Sequence, residues 1–367
     1  MEAEEALEQA RTCTECGVCT KFCPTYRVSG RFPLSPIGRI QAAIRAFDGD
    51  EVGEGVVESL SSCLVCTECD AVCPYEIKVS QIVLRARRKL VERGLGPLEG
   101  QRKVIDGILS KGNAVNGARE ARLEWLPEEL PRRESDTLLY IGCLGSYVSK
   151  DAAASTYLVL KKLNFDFMLL EDEGCCGTYM YETGAVDFAG ELFQRNADRF
   201  KSLGISKVVC LCPACLTCFK DFYPEVVGDT GFSVQHVAEV LHDLLRENQS
   251  VLKKVDRTFT YQDPCRLSRW HRIVDEPRQA LGLCGVDLRE MERRGEGAQC
   301  CGAGGGVMTA YRDLSTKVAS DVLGMAQTDS IITSCPFCEF CLNRTAKATE
   351  SEKRVTYFTS VLLDSLR

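Results

Sequence analysis

The chain has 367 residues, of which 45% are hydrophobic and 26% charged, and it carries a net charge of −7. That balance describes two or three globular domains with ordinary cores, and the acidity excludes nucleic acid as the main partner, because phosphate binding needs a basic face. No apolar run approaches the roughly 18–20 residues of a bilayer span, and the opening MEAEEALEQARTC has no apolar signal core, so the expected location is cytoplasmic, with any membrane contact made through a partner protein.

Residues 1–95 carry two copies of one cysteine pattern. Cys13, Cys16, Cys19 and Cys23 form C-x2-C-x2-C-x3-C followed by Pro24; Cys63, Cys66, Cys69 and Cys73 repeat it, followed by Pro74. In such a pattern three cysteines wrap one 4Fe–4S cluster from a tight loop and the fourth reaches the other cluster. One cubane is therefore expected on Cys13, Cys16, Cys19 and Cys73, and the other on Cys63, Cys66, Cys69 and Cys23. A zinc site would need two close pairs and neither the third cysteine nor the proline. The gap between Cys23 and Cys63 holds an amphipathic helix, IGRIQAAIRAF (37–47). Little other core exists in this segment, so iron is expected to hold it folded.

Residues 96–135 are rich in Gly, Pro and charge and read as a connector with short helical pieces. From residue 136 short apolar runs alternate with longer amphipathic ones. TLLYIGC (137–143), FDFMLLE (165–171) and KVVCLC (207–212) read as strands; 147–163, 186–203 and a segment from Pro213 read as helices. The order then repeats: strands at 259–265, 286–291 and 330–335, helices at 276–283, 310–326 and from Pro336. Residues 136–250 and 257–367 are thus an internal duplication of a small α/β unit, and the fold class is α plus α/β.

Each half brings five cysteines to the C-terminal ends of its strands, where open α/β sheets place their sites. The first half has Cys143, the vicinal pair Cys175 and Cys176, then Cys212 and Cys215; the second has Cys265, Cys300, Cys301, Cys335 and Cys338. A vicinal pair suits a cubane poorly, and five thiolates exceed the needs of one cubane or one zinc. The residues alone indicate an unusual multi-iron centre and no more.

The motifs YIGC (140–143), EGCCG (173–177), CPAC (212–215), YQDPC (261–265), CCGAGGGV (300–307) and SCPFC (334–338) resemble the CCG cysteine-rich domains of the heterodisulfide reductase family. Nearly the whole chain resembles the D-type member of that family, a fusion of a two-cluster ferredoxin domain with two CCG domains. The N-terminal segment is similar to the helical ferredoxin domain of fumarate and succinate dehydrogenase iron proteins. The resemblance implies that each five-cysteine set holds a noncubane 4Fe–4S cluster. It further implies that the two clusters reduce the CoM-S-S-CoB heterodisulfide with electrons relayed through the cubanes. The donor it implies is a membrane cytochrome b or a soluble flavoprotein. The resemblance extends to iron–sulfur proteins that only pass electrons from a flavin-dependent 2-hydroxyacid or glycerol-3-phosphate dehydrogenase. Those often lack ligands in one CCG set, whereas this chain lacks none. Where the family commonly has His after the DPC cysteine, this chain has Arg266.

Arg266, Arg269 and His271 follow an expected ligand directly and are candidate contacts for an anionic substrate, against the plainer reading of a solvated basic turn. Gly302, Gly304, Gly305 and Gly306 fit no nucleotide-binding pattern and are expected to let backbone approach a cluster closely. Cys210, Cys218, Cys284 and Cys341 are expected to be buried structural thiols. His236 and His242 are expected at the surface, RARRKL (85–90) on a solvated helix face, and Trp125 and Trp270 in packing roles.

Overall fold

A computed structural model describes residues 1–49, 51–131 and 134–366. The chain divides into two compact units, each assembled from segments distant in sequence. One comprises Met1–Ile105, Tyr179–Ala189 and Gln299–Val322; the other comprises Asp106–Thr178, Gly190–Ala298 and Leu323–Arg367.

The first unit is helical. Helices Ala3–Arg11, Pro36–Asp48 and Val79–Glu92 pack on one another. The middle one begins at Ser35, whose hydroxyl accepts from the Gly38 N–H at 3.1 Å with Pro36 in the first turn. It ends at Gly49 in the left-handed conformation (φ 80°). Its inward stripe is Ile37, Ile40 and Ala43, at the spacing a helix needs to bury one face. The cysteine loops lie at the ends of these helices.

The second unit holds two parallel sheets. β1 (Thr137–Tyr140), β2 (Lys207–Cys210) and β3 (Ser233–His236) pair in that order. β4 (Thr258–Gln262), β5 (Asp287–Glu290), β6 (Ser330–Thr333) and β7 (Arg354–Tyr357) form the second sheet, in the order β5-β4-β6-β7. The two arrangements match strand for strand once Met168, which bridges to Leu138 beside β1, is counted as the partner of β5. Helix Lys150–Lys162, after β1, packs on helix Phe358–Ser365, after β7; helix Asp275–Leu283, after β4, packs on helix Val237–Glu247, after β3. Each half thus covers the other with equivalent elements, as a two-fold repeat requires. One apolar core fills the space between, from Leu139, Ile141 and Val209 to Phe259, Ile332 and Phe358.

Three expectations need correction. FDFMLLE is no extended strand: Met168 alone pairs, accepting from Leu139 N–H at 3.0 Å and donating to Thr137 O at 2.9 Å. It lies at a sheet edge, and Asp166 and Glu171 keep its flanks in water. The 137–143 run leaves the sheet at Tyr140, because Gly142 turns the chain at φ +72°, where a Cβ would sit 3.2 Å from Cys215 Sγ. The connector contains a thirteen-residue helix, Glu99–Lys111, more order than its Gly and Pro content suggests.

Candidate iron–sulfur centres

In the first unit Cys13, Cys16, Cys19 and Cys73 line one hollow together with Ile37, Ile40, Ile77 and Val79. Cys16 is exposed and Cys19 buried. Burial and the neighbouring thiols push Cys19 up to about 11, so four thiolates need a cation to hold them there. Iron would supply that charge.

Cys23, Cys63, Cys66 and Cys69 gather separately: the thiols of Cys66, Cys63 and Cys23 all act on Cys69, which burial pushes well above its ordinary value. Two guanidiniums stand beside them, Arg39 and Arg87, each 2% exposed. Arg39 donates to Cys23 Sγ (3.3 Å), Thr25 Oγ1 (2.8 Å), Ser59 O (3.1 Å) and Ser62 O (3.2 Å). Arg87 donates to Leu60 O (2.9 Å), Cys63 O (2.6 Å), Glu182 O (2.8 Å) and Gly305 O (2.9 Å). Burial pulls Arg87 down to about 10. Buried cations without carboxylate partners are costly, and an anionic cluster on these four cysteines would offset them. The residues present therefore fit an iron–sulfur cluster at both sites.

Arg87 corrects the sequence reading. RARRKL is not uniformly solvated: Arg85 and Arg87 are buried, and Arg85 donates to Tyr181 OH at 3.0 Å. The glycine-rich loop does approach backbone closely, but its neighbour is the second ferredoxin motif. A Cβ on Gly304 would lie 2.7 Å from Leu64 O, and one on Gly305 2.3 Å from Cys63 O. Cys300 and Cys301, which open this loop, are buried in the same unit.

In the second unit all five cysteines of the first half converge. The thiols of Cys143 and Cys176 act most strongly on Cys175, those of Cys175 and Cys215 on Cys176, and those of Cys176 and Cys212 on Cys215. Cys212 caps the Pro213–Thr217 helix and Cys335 the Pro336–Ala348 helix, just beyond the ends of β2 and β6. The Cys212 and Cys335 thiols also act on each other, and Tyr357 of the second half donates to Leu211 O, next to Cys212, at 2.6 Å. Cys335 lies beside Cys338, and Cys265 is buried in the same unit.

The surroundings of the vicinal pair are specific. Asn196 donates to Cys175 O (3.0 Å), and Tyr223 OH and Cys218 Sγ both donate to Cys176 O (3.1 Å each). Cys218 thus directs its proton at a carbonyl, as a structural thiol does, and Cys210, Cys284 and Cys341 are buried as well. From the connector, Ala114 N–H points at Cys143 Sγ at 3.5 Å. Arg122 meets Glu173 Oε1 at 2.5 Å, and Glu173 also accepts from Ile141 N–H (3.0 Å) and Gly142 N–H (2.8 Å). Sequence reasoning gave neither a role: Arg122 lies outside every motif, and Glu173 opens EGCCG as a bystander to its cysteines.

Each candidate anion contact has partners within the fold. Arg266 stacks 4.2 Å from the Trp270 ring, Arg269 donates to Glu296 O and Ala298 O at 2.7 Å each, and His271 Nε2 lies 2.8 Å from Thr217 Oγ1. The remaining histidines are not at the surface. His236 is fully buried, accepts from Ala238 N–H through Nδ1 and bonds Leu211 O through Nε2 at 3.1 Å; His242 is 9% exposed. Trp125 packs in the core against Tyr157, and Trp270 against Phe222.

Comparison with known proteins gives the same division of motifs. Residues 9–77 match the 4Fe-4S dicluster domain family, and residues 137–220 and 259–343 each match the cysteine-rich domain family known as CCG. Over 360 residues the chain is 33% identical to the D-type component of dihydromethanophenazine:CoB–CoM heterodisulfide reductase from Methanosarcina acetivorans, covering 91% of this chain and 88% of that protein. It is 29% identical to the B-type component of fumarate reductase (CoM/CoB) from Methanothermobacter marburgensis, over 90% of this chain and 67% of that one. It is also 28% identical to the probable iron–sulfur-binding oxidoreductase FadF of Bacillus subtilis, over 96% of this chain and 59% of that one. No helix among the described residues is long and apolar enough to cross a membrane.

Proposed function

The chain belongs to the D-type heterodisulfide reductase family, and from that premise we propose that it is the disulfide-reducing component of a larger complex, acting on the CoM-S-S-CoB heterodisulfide or a close relative. The reaction balances as one disulfide, two electrons and two protons giving two thiols. The electrons come from a partner protein carrying haem b or flavin. The proposed ligands are Cys13, Cys16, Cys19 and Cys73 for one cubane, and Cys23, Cys63, Cys66 and Cys69 for the other. The two noncubane clusters are assigned to Cys143, Cys175, Cys176, Cys212 and Cys215, and to Cys265, Cys300, Cys301, Cys335 and Cys338. Bound there, the clusters would supply one-electron reduction and Lewis-acidic iron for the separating sulfurs.

The observation that carries this reading is the adjacency of the two halves at Cys212 and Cys335, whose thiols act on each other and where Tyr357 donates to Leu211 O at 2.6 Å. It supports two sulfur-bound centres close enough to share one substrate, as cleavage of a single S–S bond between two metals demands. The protein's own part is positional. The N-terminus of the Pro336–Ala348 helix aims the Cys338 N–H at Cys335 Sγ at 3.5 Å, while Asn196 donates to Cys175 O and Tyr223 and Cys218 donate to Cys176 O.

A second reading, an electron-relaying protein, draws on the resemblance to FadF. The chain is 28% identical to that protein and 33% identical to the D-type heterodisulfide reductase relative, which favours the reductase. Cys175→Ser separates them: the reductase reading expects disulfide cleavage to vanish while both cubanes stay reducible, and unchanged cleavage in that variant would refute it.

A further inference from the structure

The two ferredoxin-type sites differ in one electrostatic respect. The outer site, Cys13, Cys16, Cys19 and Cys73, has an exposed cysteine, and the carboxylate nearest in effect is Glu15, beside Cys13. The inner site, Cys23, Cys63, Cys66 and Cys69, also has a carboxylate, Asp70, which accepts from Cys69 Sγ at 3.4 Å and from Ser80 N–H at 3.0 Å, but it alone has two buried guanidiniums, and among the described residues neither is paired with a carboxylate. One of them reaches a ligand atom itself: Arg39 Nη1 to Cys23 Sγ, 3.3 Å.

Cluster potentials follow net charge, hydrogen bonds to sulfur and exposure. Reduction adds negative charge. Burial alone would make that charge more costly at the inner site and give it the lower potential. A fixed cation and an N–H···S bond act in the opposite sense, and they act strongly where water does not screen them.

We propose that Arg39 is a positioning residue that raises the potential of the inner cluster above that of the outer one, so that an electron shared by the pair resides mainly at the inner site. The outer site, with exposed Cys16, then faces the donor, and the inner site faces the glycine loop that follows Cys300 and Cys301. Arg87 contributes its charge to the same site while clamping Cys63 O to Gly305 O.

The inference rests on the ligand sets proposed above, and the test keeps the two apart. In an EPR-monitored redox titration of the full, iron-loaded chain, wild type should show two cubane signals with distinct midpoints. A single cubane signal in wild type would refute the ligand sets. With two signals present, Arg39→Gln should lower the inner midpoint by at least a tenfold change in the reduced-to-oxidised ratio, about 59 mV for one electron. The outer midpoint should not move, and Arg39→Lys should recover most of the shift. An inner midpoint unchanged in Arg39→Gln, or both midpoints moving together, would overturn the inference. If Arg39→Gln fails to assemble the inner cluster, wild type labelled with 15N-arginine decides by pulsed EPR: nitrogen coupling to the inner cluster is expected, and its absence overturns the inference.

Discussion

The buried pair of Arg122 and Glu173 gives a quantitative test of how the first cysteine set is held. Their side chains are 6% and 2% exposed, and the carboxylate takes three donors: Arg122 and the N–H groups of Ile141 and Gly142. Those two N–H groups set the turn that delivers Cys143. Arg122→Met leaves a buried carboxylate with two neutral donors. Glu173→Gln leaves a buried guanidinium. Removing one partner of such a pair costs about 3–5 kcal/mol. The double variant removes both charges and keeps an amide oxygen for the N–H groups, so its cost should fall below the sum of the singles by roughly 2 kcal/mol or more. Anaerobic urea unfolding of all four proteins at equal iron content measures this, provided the denaturant slopes agree. Additive singles, or singles within about 0.5 kcal/mol of wild type, would refute the reasoning.

Three further outcomes are expected. His236 is pulled down to about 3 by burial, and the unfolded chain, near 6.5, binds the extra proton below that pH. Stability therefore falls as pH drops, by about 2 kcal/mol between pH 7 and 5 from this group alone; a His236→Gln variant whose pH slope over that interval equals wild type would contradict this. Gly305→Ala should lose inner-site iron, since its Cβ would press on Cys63 O at a backbone φ of +62°, at a cost of roughly 3 kcal/mol; retained iron and an intact second cubane signal would count against it. Stripping iron with a chelator should expose residues 1–95 to limited proteolysis, because Arg39 and Arg87 lose their counter-charge; undiminished protease resistance in the apoprotein would show that other contacts hold the segment.

Much of the fold was legible because apolar runs mark the central strands: TLLY, KVV and SII are buried throughout or nearly so. β3 (SVQH) and β7 (RVTY) went unread because edge strands keep polar residues on their open side. The outer four thiols line one hollow and the first CCG five lie together, as their spacings group them. The buried arginines were missed because charge was taken as a sign of solvent. The sequence did hold a signal for both. Arg87 stands four residues after Val83 and three before Leu90, inside the apolar stripe of its helix, and Arg39 falls between Pro36 and Ala43 on the buried face of another. A charged residue within an apolar stripe needs partners, and here they are carbonyls, a hydroxyl and the Cys23 thiol, with no carboxylate among the described residues. Arg122 carried no such mark, since its burial depends on a loop folding back onto Glu173.

The most direct test of the central claim is anaerobic oxidation of reduced viologen by the CoM–CoB heterodisulfide, on full-length protein carrying about sixteen irons. Heterodisulfide-dependent turnover that releases two thiols for every two electrons is the predicted result. No turnover at full iron content, with both cubanes reduced by the dye, would contradict the reductase reading and leave the chain an electron relay.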